Sequence, residues 1–139
     1  MRPSFELFDH TADLGIRVRA PALAELLQPA ADGLYAAIGR LLPGGVSASV
    51  TLELTGDEAA VLLRDFLDEL LILVERDGRI ATGHVGTAFD DHRLHTTVRT
   101  ARIDPERSVF DREVKAVTYH QLAIQSIPGG VEATLIVDI

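Results

Sequence analysis

The chain has 139 residues, a length that suits one domain with one substantial hydrophobic core. Its composition, 47% hydrophobic and 24% charged, is typical of folded globular proteins and excludes extensive disorder. The 21 acidic and 13 basic residues leave a net charge of −8, which argues against direct nucleic-acid binding, since such proteins neutralise phosphates with lysine and arginine. The absence of cysteine excludes disulfides, thiolate zinc sites and cysteine nucleophiles.

The start of the chain does not have the pattern of a secretory signal peptide, because it carries Arg2, Glu6 and Asp9 and no long apolar run. The longest strongly apolar run, Leu70–Val74, is far shorter than the roughly 18 residues that a membrane span needs. We therefore expect a cytoplasmic protein without a membrane partner.

The first half of the chain predicts strands and one interrupted helix. Phe5–Phe8 is a short strand candidate, and Gly15–Ala20 alternates apolar and charged residues as a half-buried strand does. Apolar residues then recur at helical spacing from Leu23 to Ile38, although Pro29 lacks a backbone donor. We expect a kink there or two short helices in sequence. The alternation over Val46–Leu54 predicts a half-buried strand.

A second helix is predicted over Glu58–Arg76. Thr55 and Glu58 have the spacing of a capping box at its start, and Asp77-Gly78 marks its end. The apolar residues cover more than one face of this helix, which predicts a position at the centre of the core or under a partner.

The remainder of the chain is predicted to form strands. Arg79–Phe89 and Leu94–Ile103 are two candidates, and Leu122–Ile127 and Val131–Val137 form a hairpin around Pro128-Gly129-Gly130. This order predicts an α+β fold, a two-layer domain with two main helices packed on a mostly antiparallel sheet, in a single domain over residues 1–139.

The first polar cluster is Asp9-His10-Thr11-Ala12-Asp13, between two predicted strands. Two carboxylates and an imidazole in one short loop could bind a cation. Alternatively, the Asp and Thr side chains satisfy the backbone of a turn, which is the more frequent use of these residues.

The second cluster joins Lys115 to Tyr119 and His120. Lysine beside histidine could orient an anion or transfer protons. Alternatively, this segment is the edge of a strand, and Lys115 pairs with Asp111 or Glu113 on the surface.

The third feature is the pair Asp138-Ile139, which follows directly on an apolar strand. A terminal carboxylate beside Asp138 would be unfavourable without a nearby positive charge, unless water screens both groups at the surface. The sequence contains no glycine-rich phosphate loop, nucleophile elbow or H-E-x-x-H helix, so it lacks the usual enzyme signatures.

Taken together, these segments resemble the archease family. The resemblance rests on the stretches Phe8–Ile16, Val114–His120 and Val137–Ile139, which occur in the family's order. The segments Leu23–Leu27 and Leu63–Leu73 are similar to the family's two helices.

This resemblance implies a small, non-catalytic activator protein. Archeases assist the RtcB-type RNA ligase, which joins a 3′-phosphate end to a 5′-hydroxyl in tRNA splicing or RNA repair. The family's divalent-metal ligands would correspond to Asp13, Asp138 and an oxygen of Ile139. His10, Lys115 and His120 would act in ligase activation at the same end of the molecule.

An all-oxygen ligand set favours Ca²⁺ or Mg²⁺ over zinc. Two other functions stay open. One is a small metal-dependent phosphoester hydrolase in which Asp13 and Asp138 hold a metal-activated water. The other is an RNA-binding adaptor, which the net charge and the seven aromatic residues disfavour.

Overall fold

The computed structural model of the protein describes residues 1–139 and contains ten strands and two α-helices. A 3₁₀ turn, Leu23–Leu26, precedes the first helix, and a π-helical turn, Leu73–Asp77, follows the second. Neither helix combines the length and the apolar character needed to cross a membrane. The elements in chain order are β1 Ser4–His10, β2 Asp13–Ala20, α1 Leu27–Ile38, β3 Gly39–Arg40, β4 Pro43–Thr55, α2 Ala59–Ile72, β5 Arg79–Phe89, β6 Arg93–Ile103, β7 Val109–Phe110, β8 Ala116–Val117, β9 Ala123–Ile127 and β10 Gly130–Asp138.

All strand pairings are antiparallel, and the predicted α+β class is confirmed. The strands form two main sheets. In the first, β1, β2 and β10 are neighbours in that order, and β8 and β9 both pair with β10. In the second, β6 lies between β4 and β5, and a short β3–β7 pair stands apart. Helix α1 contacts β1, β2 and β5, whereas α2 contacts β4, β6 and β8, so the helices join both sheets in one core.

Helix α2 lies at the centre of the core, as its broad apolar surface predicted. Leu63, Phe66, Leu67 and Leu70 are fully buried. Burying side chains of this size stabilises the fold by about 1.5–3 kcal/mol each. The helix continues into the π-helical turn and ends at Gly78, whose φ of 62° requires the left-handed region that glycine adopts without strain.

The first helical segment is divided at Leu26/Leu27, two residues before Pro29, into a 3₁₀ turn and the longer helix α1. The 3₁₀ turn ends at Leu26, and α1 begins at Leu27, so Pro29 falls within the first turn of α1. The N–H groups of a first turn have no partner within the helix, and a missing donor therefore costs little there.

The predicted capping box at the start of α2 is wrong. Thr55 is still extended and pairs with Arg93 in the sheet, while Glu58 occupies the cap position without a side-chain hydrogen bond. Instead, the Ala59 N–H donates to the Asp91 carboxylate at 3.4 Å. Asp91 belongs to the β5–β6 turn, which is distant in sequence from α2. The first N–H of the helix is therefore satisfied by a tertiary contact and not by a neighbouring side chain.

The predicted burial of β4 holds only in its second half. Val50 and Leu54 are partly buried and Leu52 is buried, as the alternation predicted. Val46, in contrast, is 78% exposed. The register between β4 and β6 shifts between Gly44 and Ser47, so Val46 lies within this irregularity and has no cross-strand partner.

The β1–β2 hairpin, which holds part of the candidate site, depends on a close approach at Gly15. Phe8 is its cross-strand partner, and a Cβ at Gly15 would lie 2.1–2.4 Å from three atoms of the phenyl ring. The Arg17 guanidinium carbon lies 4.5 Å from the centre of the same ring, so the ring is also held by a cation–π contact.

Candidate functional site

His10 and Asp13 face each other across the turn that joins β1 to β2. They form the last residue pair of the hairpin, and the His10 Nδ1 and Asp13 Oδ2 atoms are 3.9 Å apart. The turn is only Thr11-Ala12, and Ala12 adopts a φ of 62°. No side chain of Asp9, Thr11 or Asp13 bonds to the local backbone, so the turn-stabilising alternative is not supported.

Strand β10 brings Asp138 to the same end of the sheet as Asp13. Leu14 on β2 pairs with Val137 on β10, so the two aspartates occupy the adjoining positions at one end of neighbouring strands. Both are partly buried, and Ile139 follows with 37% exposure. Two carboxylates from opposite ends of the chain thus belong to one rim.

Strand β8 places Lys115 beside this rim. Ala116 pairs with Asp138, and the Lys115 N–H donates to the Asp138 carbonyl oxygen at 2.7 Å. The Lys115 side chain is exposed and takes part in no ion pair. The alternative, an ion pair of Lys115 with Asp111 or Glu113, is therefore absent from the structure.

His120 completes the convergence of the predicted residues. Its ring packs edge-on against the His10 ring, with 5.2 Å between centroids and 65° between planes. Thr118 fixes the approach, since its N–H and hydroxyl both donate to the Ile136 carbonyl at 2.9 Å and its hydroxyl oxygen accepts from the His120 N–H. The buried Nδ1 of His10 has no hydrogen-bond partner.

Arg64 of α2 is the site residue that sequence reasoning missed. Its Nε donates to the Val117 carbonyl at 2.9 Å, and its guanidinium lies over the Tyr119 ring. The Asp65 carboxylate accepts a hydrogen bond from Arg64 Nη1 at 2.9 Å, and the Asp68 carboxylate lies 3.6 Å from Arg64 Nη2. The sequence did contain a signal for this residue, namely a single arginine within a strongly apolar helix. A charged side chain that is partly buried in such a helix needs hydrogen-bond or ion-pair partners, because burying an unpaired charge is costly.

The donor atoms at this rim are oxygens, the type that hard cations prefer. Asp13, Asp138 and Ile139 offer oxygen only, and neither aspartate carboxylate accepts a hydrogen bond from a side chain. The side chains of His, Asp and Glu do not by themselves form a group of three or more that could hold a metal. The two carboxylates alone are fewer oxygen ligands than Ca²⁺ or Mg²⁺ takes, so an ion would need further oxygen donors beside them.

Comparisons with known proteins agree on one family. The sequence profile of the Archease protein family (MTH1598/TM1083) matches residues 5–139. The protein archease of Pyrococcus furiosus is 31% identical over 130 residues, with 91% of each chain covered. The protein archease of Methanopyrus kandleri is also 31% identical, over 138 residues covering 97% of this chain and 99% of its own.

Two solved structures resemble the fold. The solution structure of protein 1598 of Methanobacterium thermoautotrophicum superposes with a TM-score of 0.78 at 29% identity, covering 98% of this chain and 99% of its own. The crystal structure of an archease of Thermotoga maritima, described as a possible chaperone, gives a TM-score of 0.72 at 18% identity. It covers 100% of this chain and 98% of its own, and at that identity the likeness concerns the fold alone.

Proposed function

Because this chain belongs to the archease family, we propose that it is a non-catalytic, metal-binding activator of an RtcB-type RNA ligase. In this role it promotes the GTP-dependent guanylylation of the ligase and its repeated turnover. The ligase joins 3′-phosphate and 5′-hydroxyl ends, so the process served is tRNA splicing or RNA repair in the cytoplasm.

The observation that supports this proposal best is the convergence of three separated segments at one end of the first sheet. The β1–β2 turn contributes His10 and Asp13, the β8 segment contributes Lys115 and His120, and the end of β10 contributes Asp138. These are the motifs of the family resemblance. Few of their polar atoms are engaged within the chain, which leaves them free for a ligand or a partner.

A divalent cation is the proposed ligand of this rim. Asp13, Asp138 and an oxygen of Ile139 would hold it, and the oxygen-only donor set suits Ca²⁺ or Mg²⁺. When bound, the ion supplies positive charge between two carboxylates that otherwise repel each other.

Lys115 is the group best suited to act on a phosphate of the partner's reactants. An ammonium group is a compact positive charge on a flexible stem, and the Lys115 main chain is held by Asp138 while its side chain points to solvent. His10 and His120, in ring contact beside it, can donate or accept a proton at the same surface.

The charge of the whole chain supports docking on a protein rather than on RNA. At −8, the protein is attracted to a basic, RNA-binding enzyme and repelled by a free nucleic acid. Such long-range attraction speeds encounter more than it tightens the complex.

The test is the guanylylation of a purified RtcB-type ligase by labelled GTP, with and without this protein. The proposal expects faster labelling and more ligation events per ligase molecule when the protein is present. An unchanged rate under both conditions would refute the activator role.

The same samples test the hydrolase alternative. The protein alone is incubated with Ca²⁺ or Mg²⁺ and a panel of phosphoesters and nucleotides. Hydrolysis that disappears in Asp13→Ala would favour the enzyme, whereas no hydrolysis together with ligase stimulation supports the activator.

A further inference from the structure

A groove near the candidate site has no role in the proposed function. It has a volume of about 510 Å³ and lies between the C-terminal end of α1, the end of α2 and the segment 110–114. Its floor belongs to the core, since Ile38, Leu71 and Val114 are nearly fully buried. Its lining is apolar apart from charged residues at the rim, and consists of Ile38, Leu71, Val74, Phe110 and Val114 with Glu75, Asp111, Arg112 and Glu113.

Phe110 stands at the border of this groove and is exposed although its backbone is fixed. Phe110 is 58% exposed, and neighbouring Val109 is 50% exposed. Phe110 pairs with Gly39, and the next two N–H groups both donate to the Ile38 carbonyl at 2.9 and 3.0 Å. A Cβ at Gly39 would lie 2.0 Å from the Val109 oxygen, so only glycine fits at this close approach of the two strands. The ring is therefore presented by a well-held segment.

The charges around the groove are unbalanced. Glu75, Asp111 and Glu113 are exposed, and none of them takes part in an ion pair. Arg112 offsets only one of these three negative charges, so the charged lining stays net negative. Its side chain is held away from an ion pair, because its Nη1 donates to the Ala37 carbonyl at 2.9 Å, at the C-terminal end of α1. Three carboxylates thus face solvent around an apolar floor.

We propose that this groove binds a segment of a partner protein in which an apolar anchor side chain is flanked by lysine or arginine. The floor at Ile38, Leu71 and Val74 would take the anchor, with the Phe110 ring closing over one side. The unpaired carboxylates would face the flanking cations, and this complementarity selects basic segments over acidic ones.

A second copy of this chain is a poorer occupant. It would bring another net charge of −8 to an acidic rim. The groove also adjoins the candidate site, because Val114 lines the groove and Lys115 follows it directly. A partner seated in the groove therefore lies beside the residues proposed for activation. The inference does not depend on that partner being an RNA ligase.

The test uses the full, ¹⁵N-labelled chain and a short synthetic peptide in which leucines are flanked by lysines. Two matched peptides replace the lysines by glutamate or the leucines by serine. The amide resonances of Val74, Phe110 and Val114 should shift with the first peptide and with neither of the others.

Variants identify the groove as the binding surface. Glu75→Lys and Phe110→Ser should each weaken binding about tenfold or more. Glu25→Lys makes the same charge change on an exposed, unpaired glutamate elsewhere, and Val85→Ser shortens another exposed apolar side chain. Both controls should bind as the parent does.

The proposal is overturned if the groove resonances do not respond to the lysine-flanked peptide or if Glu75→Lys binds it equally well. It is also overturned if the same resonances shift with protein concentration alone and the chain sediments as a dimer, because the occupant is then a second copy.

Discussion

The guanidinium of Arg64 lies over the ring of Tyr119, with its central carbon 4.4 Å from the ring centroid. The same side chain donates to the Val117 carbonyl, so one residue of α2 holds two points of the segment between β8 and His120. Only 15% of the Arg64 side chain is exposed. This contact links the packed core to the segment that presents the proposed activating residues.

We expect Arg64→Ala to loosen that segment. The substitution leaves the Val117 carbonyl without its donor and removes the cation–π contact, which together should lower the free energy of unfolding by about 1–3 kcal/mol. Urea denaturation measures the loss, and hydrogen exchange of the Lys115 amide, bonded to Asp138, should accelerate. Arg76→Ala removes an exposed arginine on the π-helical turn and should change neither measurement.

Asp13→Ala and Asp138→Ala should each abolish the binding of Ca²⁺ and Mg²⁺ while the fold survives. Each removes one of two carboxylates at the ends of neighbouring strands, and neither carboxylate forms a hydrogen bond that the fold would miss. Calorimetric titration provides the affinity and circular dichroism the fold. Asp57→Ala, at an exposed position outside the rim, is the control and should bind the metal normally. Unchanged affinity in both rim variants would exclude this assignment.

Lys115→Ala should leave the melting temperature nearly unchanged and abolish the stimulation of ligase guanylylation. The side chain has no ion pair to lose, and the main-chain bond to Asp138 remains in the variant. Lys115→Arg keeps the charge but changes its shape, so it should restore stimulation only in part. A folded Lys115→Ala protein that stimulates the ligase fully would contradict the role proposed for this residue.

The stability of the protein should fall as the pH is lowered through about 6.5, partly because of His84. Burial lowers the pKa of His84, an effect that the negative charge of Asp32 opposes. Both ring nitrogens lack hydrogen-bond partners, and the ring packs 5.6 Å from that of Phe66. The unfolded chain therefore binds a proton at His84 more readily than the folded chain does. The free energy of unfolding is not reduced by His84 above the pKa of this group in the unfolded chain, and it decreases as the pH falls below that value.

Denaturation at a series of pH values between 8 and 5 checks this expectation. In His84→Leu the decline of the free energy of unfolding toward pH 5 should be shallower than in the parent. His92→Leu, at an exposed position in the β5–β6 turn, should keep the parent's decline. Parallel curves for the parent and His84→Leu would show that another group is responsible.

Local patterns in the sequence predicted the secondary structure well because each depends on neighbouring residues. The alternation over Gly15–Ala20 and the helical spacing around Phe66 report which face of an element is apolar. The pattern was wrong where a distant contact decided the outcome. The Asp91 carboxylate, and not the Thr55 side chain, accepts from the N–H at the start of α2. Val46 is exposed because it lies within the register irregularity of β4.

The motifs and the hydrophobic patterns of the sequence by itself determined the family, the α+β class and the candidate residues of the site, which are His10, Asp13, Lys115, His120, Asp138 and Ile139. Tertiary structure alone decided that Asp13 and Asp138 lie side by side, that Lys115 is unpaired and that Arg64 supports the segment next to it. The physical reason is that hydrophobic periodicity is a local property, whereas strand pairing and charge pairing join residues far apart in the chain. In this protein β10 pairs with β2 on one side and with β8 and β9 on the other, and that arrangement assembles the site.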